Sequence, residues 1–146
     1  MDPFLAFKIS ATGLAVQKLR MNIIATNIAN VETTRTTQGT PYRRKDLLVM
    51  AVPIIKRAGL NDFENMLVHS LKVAVPVRVV EDKRPFKMVY NPAHPDADSK
   101  GYVRLPNVNP IEEMVNMISA LRAYEANVTV INNTKAMILK ALQIGR

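Results

Sequence analysis

A chain of 146 residues with 48% apolar content is long enough for one ordinary domain, or for a small domain with extended segments, and too apolar to be disordered by composition. With neither cysteine nor tryptophan, it excludes disulfides, thiol catalysis and thiolate metal sites, and disfavours base-stacking platforms. A formal charge of +8 is compatible with an anionic polymer, but the Lys and Arg residues are scattered; their densest cluster, Arg43, Arg44 and Lys45 after Tyr42, reads as a solvated basic surface.

The first twenty residues do not have the pattern of a secretory signal, because Asp2 precedes any basic residue and Lys8 interrupts the apolar run. Lys18 and Arg20 argue against membrane insertion. Asp2-Pro3 instead starts a helix, with a capping carboxylate followed by proline at the first helical position. From Phe4 to Ala29 the apolar residues fall into two neighbouring stripes, one through Leu14, Met21 and Ile28, the other through Val16, Leu19 and Ile23. Gly13 alone weakens the pattern, by about 1 kcal/mol relative to alanine. Asn27 falls on this helix as a buried amide of the kind that fixes register. Asn30 is expected to end the helix in the left-handed conformation, and Thr33, Thr34, Thr36 and Thr37 to continue as an extended path.

In the middle of the chain the period changes from helical to alternating. Leu47–Ile55 and Leu71–Val80 read as strands, each carrying a proline (Pro53, Pro76) that suits an edge. Glu81–Pro85 reads as a turn, Phe86–Tyr90 resumes the alternation, and Tyr102–Leu105 is a short fourth strand. The stretch from Asp62 to His69 is ambiguous between a helical turn and a loop. Asn109-Pro110-Ile111-Glu112 then announces a second helix, which runs to Ile144 without glycine or proline. Its seam is Met114, Met117, Leu121, Tyr124, Val128, Ile131, Ile138 and Leu142, interrupted by Lys135.

Little in the chain suggests chemistry. There is no phosphate loop, nucleophile elbow or pair of metal-spaced histidines, and His69 and His94 stand alone. Asp96 to Gly101 begins like a calcium loop but has Asn107 where the bidentate glutamate belongs, so it reads as a turn-rich connector. Glu112 and Glu113 diverge on a helix and serve its N-terminal dipole. Arg122, Tyr124 and Asn127 mark a face suited to meeting another subunit. No catalytic residue, metal or cofactor is expected.

Several stretches together resemble the axial proteins of the bacterial flagellar rod and hook, and among them the proximal rod proteins. They are "SATGLAVQKLRMNIIATNIANVETTRT", "GTPYRRK", "VYNPAHPDADSKGYV", "PNVNPIEEMVNMISALRAYEANVTVINNTKAM" and the final "LQIG", which occur in this order over nearly the whole chain. The resemblance implies an α+β fold, with long terminal helices paired as a coiled-coil-like hairpin (residues 1–30 and 109–146), an extended connector (31–46) and a small β-rich middle domain (47–108) with a loop near 56–70. It implies a non-enzymatic subunit that polymerises into a hollow, torque-transmitting rod in the periplasm after type III export without a cleavable signal peptide. Implied partners are further copies of itself, the rod proteins FlgB, FlgF and FlgG and the basal-body adaptor FliE, with the MS ring and peptidoglycan nearby and no nucleic acid. Expected assembly residues are Leu14, Met21, Ile28, Met117, Leu121, Tyr124, Val128, Ile131 and Leu142 along the helix seams, with Asn27, Asn30, Thr33, Thr34, Arg122 and Asn127 as polar determinants. The connector threonines are expected to lie against adjacent subunits. The competing expectation is a basic module that binds peptidoglycan or nucleic acid.

Overall fold

The computed structural model describes residues 3–53 and 71–144. Helix α1 spans Pro3–Ala29, strands β1 to β4 span Lys45–Pro53, Lys72–Glu81, Lys87–Tyr90 and Tyr102–Leu105, and helix α2 spans Pro110–Ile144. At 1.5 Å per residue the helices are about 40 and 52 Å long. The expectation for Asp62–His69 lies outside the described residues, as do Ile54 and Ile55 at the end of the first predicted strand. The predicted helix and strand bounds otherwise agree with these elements to within about two residues.

β1 pairs with β2, and β3 with β4, in two sheets of two strands. Among the described residues each strand has a single neighbour, a setting in which proline is tolerated, and Pro53 and Pro76 lie in β1 and β2. In the second sheet the pairing is antiparallel, with Val89 opposite Val103 and Tyr90 opposite Tyr102.

α2 starts as its sequence dictates. The side chain of Asn109 accepts a hydrogen bond from the Ile111 amide at 3.1 Å, and its carbonyl receives the Glu113 amide at 3.0 Å. α1 ends differently from expectation. No residue other than glycine has positive φ among the described residues, so Asn30 is not left-handed. Instead the Asn30 amide is shared between the Thr26 and Asn27 carbonyls, its side-chain amide donates to Thr26 O at 2.8 Å, and Thr33 Oγ1 donates to Asn30 Oδ1 at 3.2 Å. With the Val31 amide, which reaches Ile28 O at 3.2 Å, these bonds satisfy the last helical carbonyls that a left-handed turn would otherwise have served.

The connector is not extended either. Thr36 donates to Thr40 through both its amide and its hydroxyl, and Gly39, at φ +74°, closes this turn. The chain folds back until the Tyr42 amide reaches Thr33 O at 3.1 Å.

The chain forms two compact units. The first comprises Met1–Leu19, Leu48–Arg78 and Ala120–Arg146; the second comprises Arg20–Leu47 and Val79–Ser119. In the first unit the buried helix positions are small: Ser10 and Val16 on α1, Ala120 and Thr134 on α2. Gly13, half-buried, adds a close contact between the two helices. A Cβ there would lie 3.0 Å from Asn127 Oδ1, so the glycine that weakens α1 as a helix former is what lets the Asn127 amide lie against it.

Candidate functional site

The most completely satisfied polar cluster lies in the second unit, at Asn27. This residue is 0% exposed and uses all four of its amide valences. Its Nδ2 donates to Lys45 O at 2.8 Å and to Glu113 Oε2 at 2.9 Å, while its Oδ1 accepts from Lys45 N and from the Tyr42 hydroxyl, both at 2.9 Å. Towards Lys45 the side chain acts like a neighbouring strand's peptide group, engaging both N–H and C=O at the start of β1. Replacing it with an apolar residue would leave several buried groups unpaired, at about 1–3 kcal/mol each.

Glu113 is also fully buried. Its second oxygen accepts from Arg44 Nε at 2.8 Å, in an ion pair whose side chains are 1% and 14% exposed. Burial alone would loosen the Arg44 proton, but hydrogen bonds to Glu113 and Asp46 outweigh it and hold the guanidinium above its ordinary range. Arg44 Nη1 also lies 3.1 Å from Asp46 and 3.9 Å from Asp82. Burial, then the charges of Glu113 and Glu81, push the Tyr42 phenol upward, so it stays a protonated donor to Asn27.

A second asparagine meets the residue before Lys45. Asn107 Oδ1 accepts from the Arg44 amide at 2.9 Å, and its Nδ2 bridges the carbonyls of Asp82 and Arg84 at 3.2 Å each. The Asp82 amide donates back to Arg44 O at 2.8 Å. The backbone of Arg44 and Lys45 is thus gripped by Asn107 and Asp82 at one residue and Asn27 at the next. The end of α1, the connector and the start of α2 are joined by amides and charges.

The basic cluster is accordingly not the free surface its sequence suggests. Arg44 is ion-paired, the Arg43 guanidinium lies 4.4 Å from the Phe86 ring centre, and Lys45 Nζ lies 5.6 Å from that of Tyr42. Nor do Asp96 and Asp98 face an open loop. Asp96 accepts from the Thr34 hydroxyl at 2.7 Å, and Asp98 accepts from the Lys100 and Tyr102 amides, which hold its carboxyl below the ordinary range.

Of the residues expected to matter, Asn27, Asn30, Thr33 and Thr34 all make polar contacts in this unit. On the helices, Leu14, Met21, Ile28, Met117, Tyr124, Val128 and Ile131 are half-buried, while Arg122 is exposed. Leu121 is 45% exposed, because the buried face of α2 passes through Ala120, one position and about 100° away, and Leu142, in the last turn of α2, is 65% exposed. Sequence reasoning did not join Glu113, Arg44, Tyr42 or Asn107 to Asn27, and it left Ile24, 4% exposed, out of both stripes of α1.

Residues 7–35 match a family model described as flagella basal body rod protein, and residues 99–144 match one for the C-terminal region of the flagellar basal body rod FlgEFG proteins. A curated relative from Borreliella burgdorferi, the flagellar basal-body rod protein FlgC, is 47% identical over 99% of this chain and 98% of its own length. The chain belongs to the FlgC family of flagellar basal-body rod proteins. The FlgC proteins of Bacillus subtilis (39% identical, all of both chains covered) and Escherichia coli O6:H1 (41%, 96% of each) agree. The matched blocks contain three members of the polar network: Asn27 in the first, Asn107 and Glu113 in the second. A FlgC-family chain is a structural subunit of the flagellar basal-body rod, not an enzyme. It serves motility and assembles with other rod components. None of its described helices is long and apolar enough to cross a membrane.

Proposed function

We propose that this chain is a subunit of the proximal part of the rod, a hollow helical shaft that carries torque, and that the polar network around Asn27 sets the register of its helices. It packs against further copies of itself and against FlgB, FlgF, FlgG and FliE-type neighbours, in the periplasm near the MS ring and peptidoglycan, after export without a cleavable signal. The seam residues Leu14, Met21, Ile28, Met117, Leu121, Tyr124, Val128, Ile131 and Leu142, with Arg122 and Asn127, supply contacts to those neighbours. The observation that carries this reading is in the second unit: beside a core of Ile24, Leu47, Val103 and Val108 it buries amides and an ion pair, while other large apolar residues stay outside. Among them Ile111 is 68% and Val115 61% exposed. Apolar faces left exposed in this way are what a chain that buries them on assembly presents.

Basal bodies purified from a deletion strain and from its complemented parent test the proposal. The complemented basal bodies should contain the chain in the membrane-proximal rod by electron cryomicroscopy and mass spectrometry, and the deletion strain should lack rods. Complete rods in the deletion strain would overturn it.

A further inference from the structure

The second unit exposes two apolar patches, each with a charge at its margin. The first is on α2. At 3.6 residues per turn, Ile111, Val115 and Ile118 fall on the side of the helix turned away from buried Glu113, with Met114 beside them. They are 68%, 61%, 52% and 50% exposed. Glu112 flanks this stripe and is exposed as well.

The second patch is one face of the β3–β4 hairpin. Cross-strand partners share a face, so Met88 with Arg104 and Tyr90 with Tyr102 point the same way. The opposite face carries Val103, 2% exposed, and is the one turned inward. On the outward face Met88, Tyr90 and Tyr102 are 49%, 63% and 41% exposed, and the two rings meet edge to face at 5.3 Å. Tyr90 rests against Gly101, where a Cβ would come within 2.9 Å of the ring. The ring is therefore braced from one side, a rigid aromatic surface that loses little entropy on contact. Tyr, Met and Arg are the residues enriched in protein interfaces. Neither Glu112 nor Arg104 forms an ion pair among the described residues.

From this complementarity we infer that the α2 stripe of one copy docks on the β3–β4 face of a second copy, with Glu112 against Arg104. The inference rests on the rod reading and deepens it. One patch is aliphatic with an acidic margin, the other aromatic with a basic margin, so each fits the other better than itself. Such a contact is head-to-tail, and repeated it generates a ring or an open helix rather than a closed dimer, as a rod requires.

The absence of native cysteine provides a direct test. A chain carrying Val115→Cys and Met88→Cys, co-expressed with its parent so that rods form, should give disulfide-linked multimers of itself when isolated basal bodies are oxidised, and neither single variant should. Only monomer in basal bodies that contain the variant, or linkage only to a different protein, would overturn the inference. Glu112→Arg or Arg104→Glu alone should lower rod number about tenfold or more, and the two together should restore it. Unchanged rod number with both single variants, in a background where deletion abolishes rods, sinks this interface while leaving the rod reading intact. If rods persist in the deletion strain, the rod reading itself fails.

Discussion

The two units bury different kinds of residue for the same structural purpose. In the second, Asn27, Arg44 and Glu113 join α1, the connector and α2 through directional bonds. In the first, α1 and α2 meet through small residues, with Gly13 receiving Asn127. A directional contact specifies one register and tolerates no slip, whereas a small-residue contact specifies closeness. Apolar side chains such as Ile24 and Val103 in the second unit and Val16 in the first are buried beside these contacts, yet many large ones remain exposed: Ile111 and Val115 on the second, Met137 and Leu142 on the first.

That difference is most easily broken at Glu113. Glu113→Leu leaves Arg44 without its buried partner and should cost about 3–5 kcal/mol, read as a lower urea midpoint. A loss below about 1 kcal/mol would mean that Asp46 and Asp82 already neutralise Arg44. Next in size is Asn27→Ala, which strips the Lys45 amide and carbonyl of their partner and should cost about 2–3 kcal/mol. Replacement of Asn27 with leucine should be no better, so helicity falls here where a hydrophobic seam would have raised it.

Gly13→Ala sharpens the comparison from the other unit. Alanine gains about 1 kcal/mol of helix propensity, but its Cβ meets an Asn127 amide already tied to Ala123 O at 2.8 Å. The single variant should lose about 1 kcal/mol net, and Asn127→Ala beside it should recover the loss. A stabilising Gly13→Ala would show that Asn127 moves aside freely.

The smallest effect concerns pH. A phenol whose folded pKa is raised contributes stability that is complete below its ordinary range and lost as pH rises through the folded value. Tyr42 should therefore give the second unit an alkaline unfolding limb, and Tyr42→Phe should remove that limb while costing about 1 kcal/mol at neutral pH. An unchanged alkaline limb in Tyr42→Phe would assign it to other groups.

Much of the fold was legible because it depends on local signals. Asn109-Pro110 starts α2, alternation marks β1 to β4, and Asn27 stands out as an amide amid Ile23, Ile24 and Ile28. The network's other members were not, because their roles depend on residues far away in sequence. Glu113 next to Glu112 looks like helix-dipole charge until Asn27 and Arg44 are brought to it across 86 and 69 positions. Arg44 between Arg43 and Lys45 looks like surface for the same reason. Asn30 misled differently: its side chain supplied hydrogen bonds that the sequence reading had assigned to a left-handed backbone. The apolar stripes were visible, but periodicity does not say whether a stripe meets its own chain or another.

The central claim is that the buried ion pair is kept for register in the assembled rod and not for stability. The most direct test is the double variant Arg44→Met/Glu113→Leu, which retains Asn27 and its bonds to Lys45. Apolar replacement of a whole buried pair is often neutral, so its unfolding free energy should return to within about 1–2 kcal/mol of the parent, while rods and swimming are lost in the complemented deletion strain. A double variant that folds and swims like its parent would contradict the claim and leave the pair with a purely stabilising role.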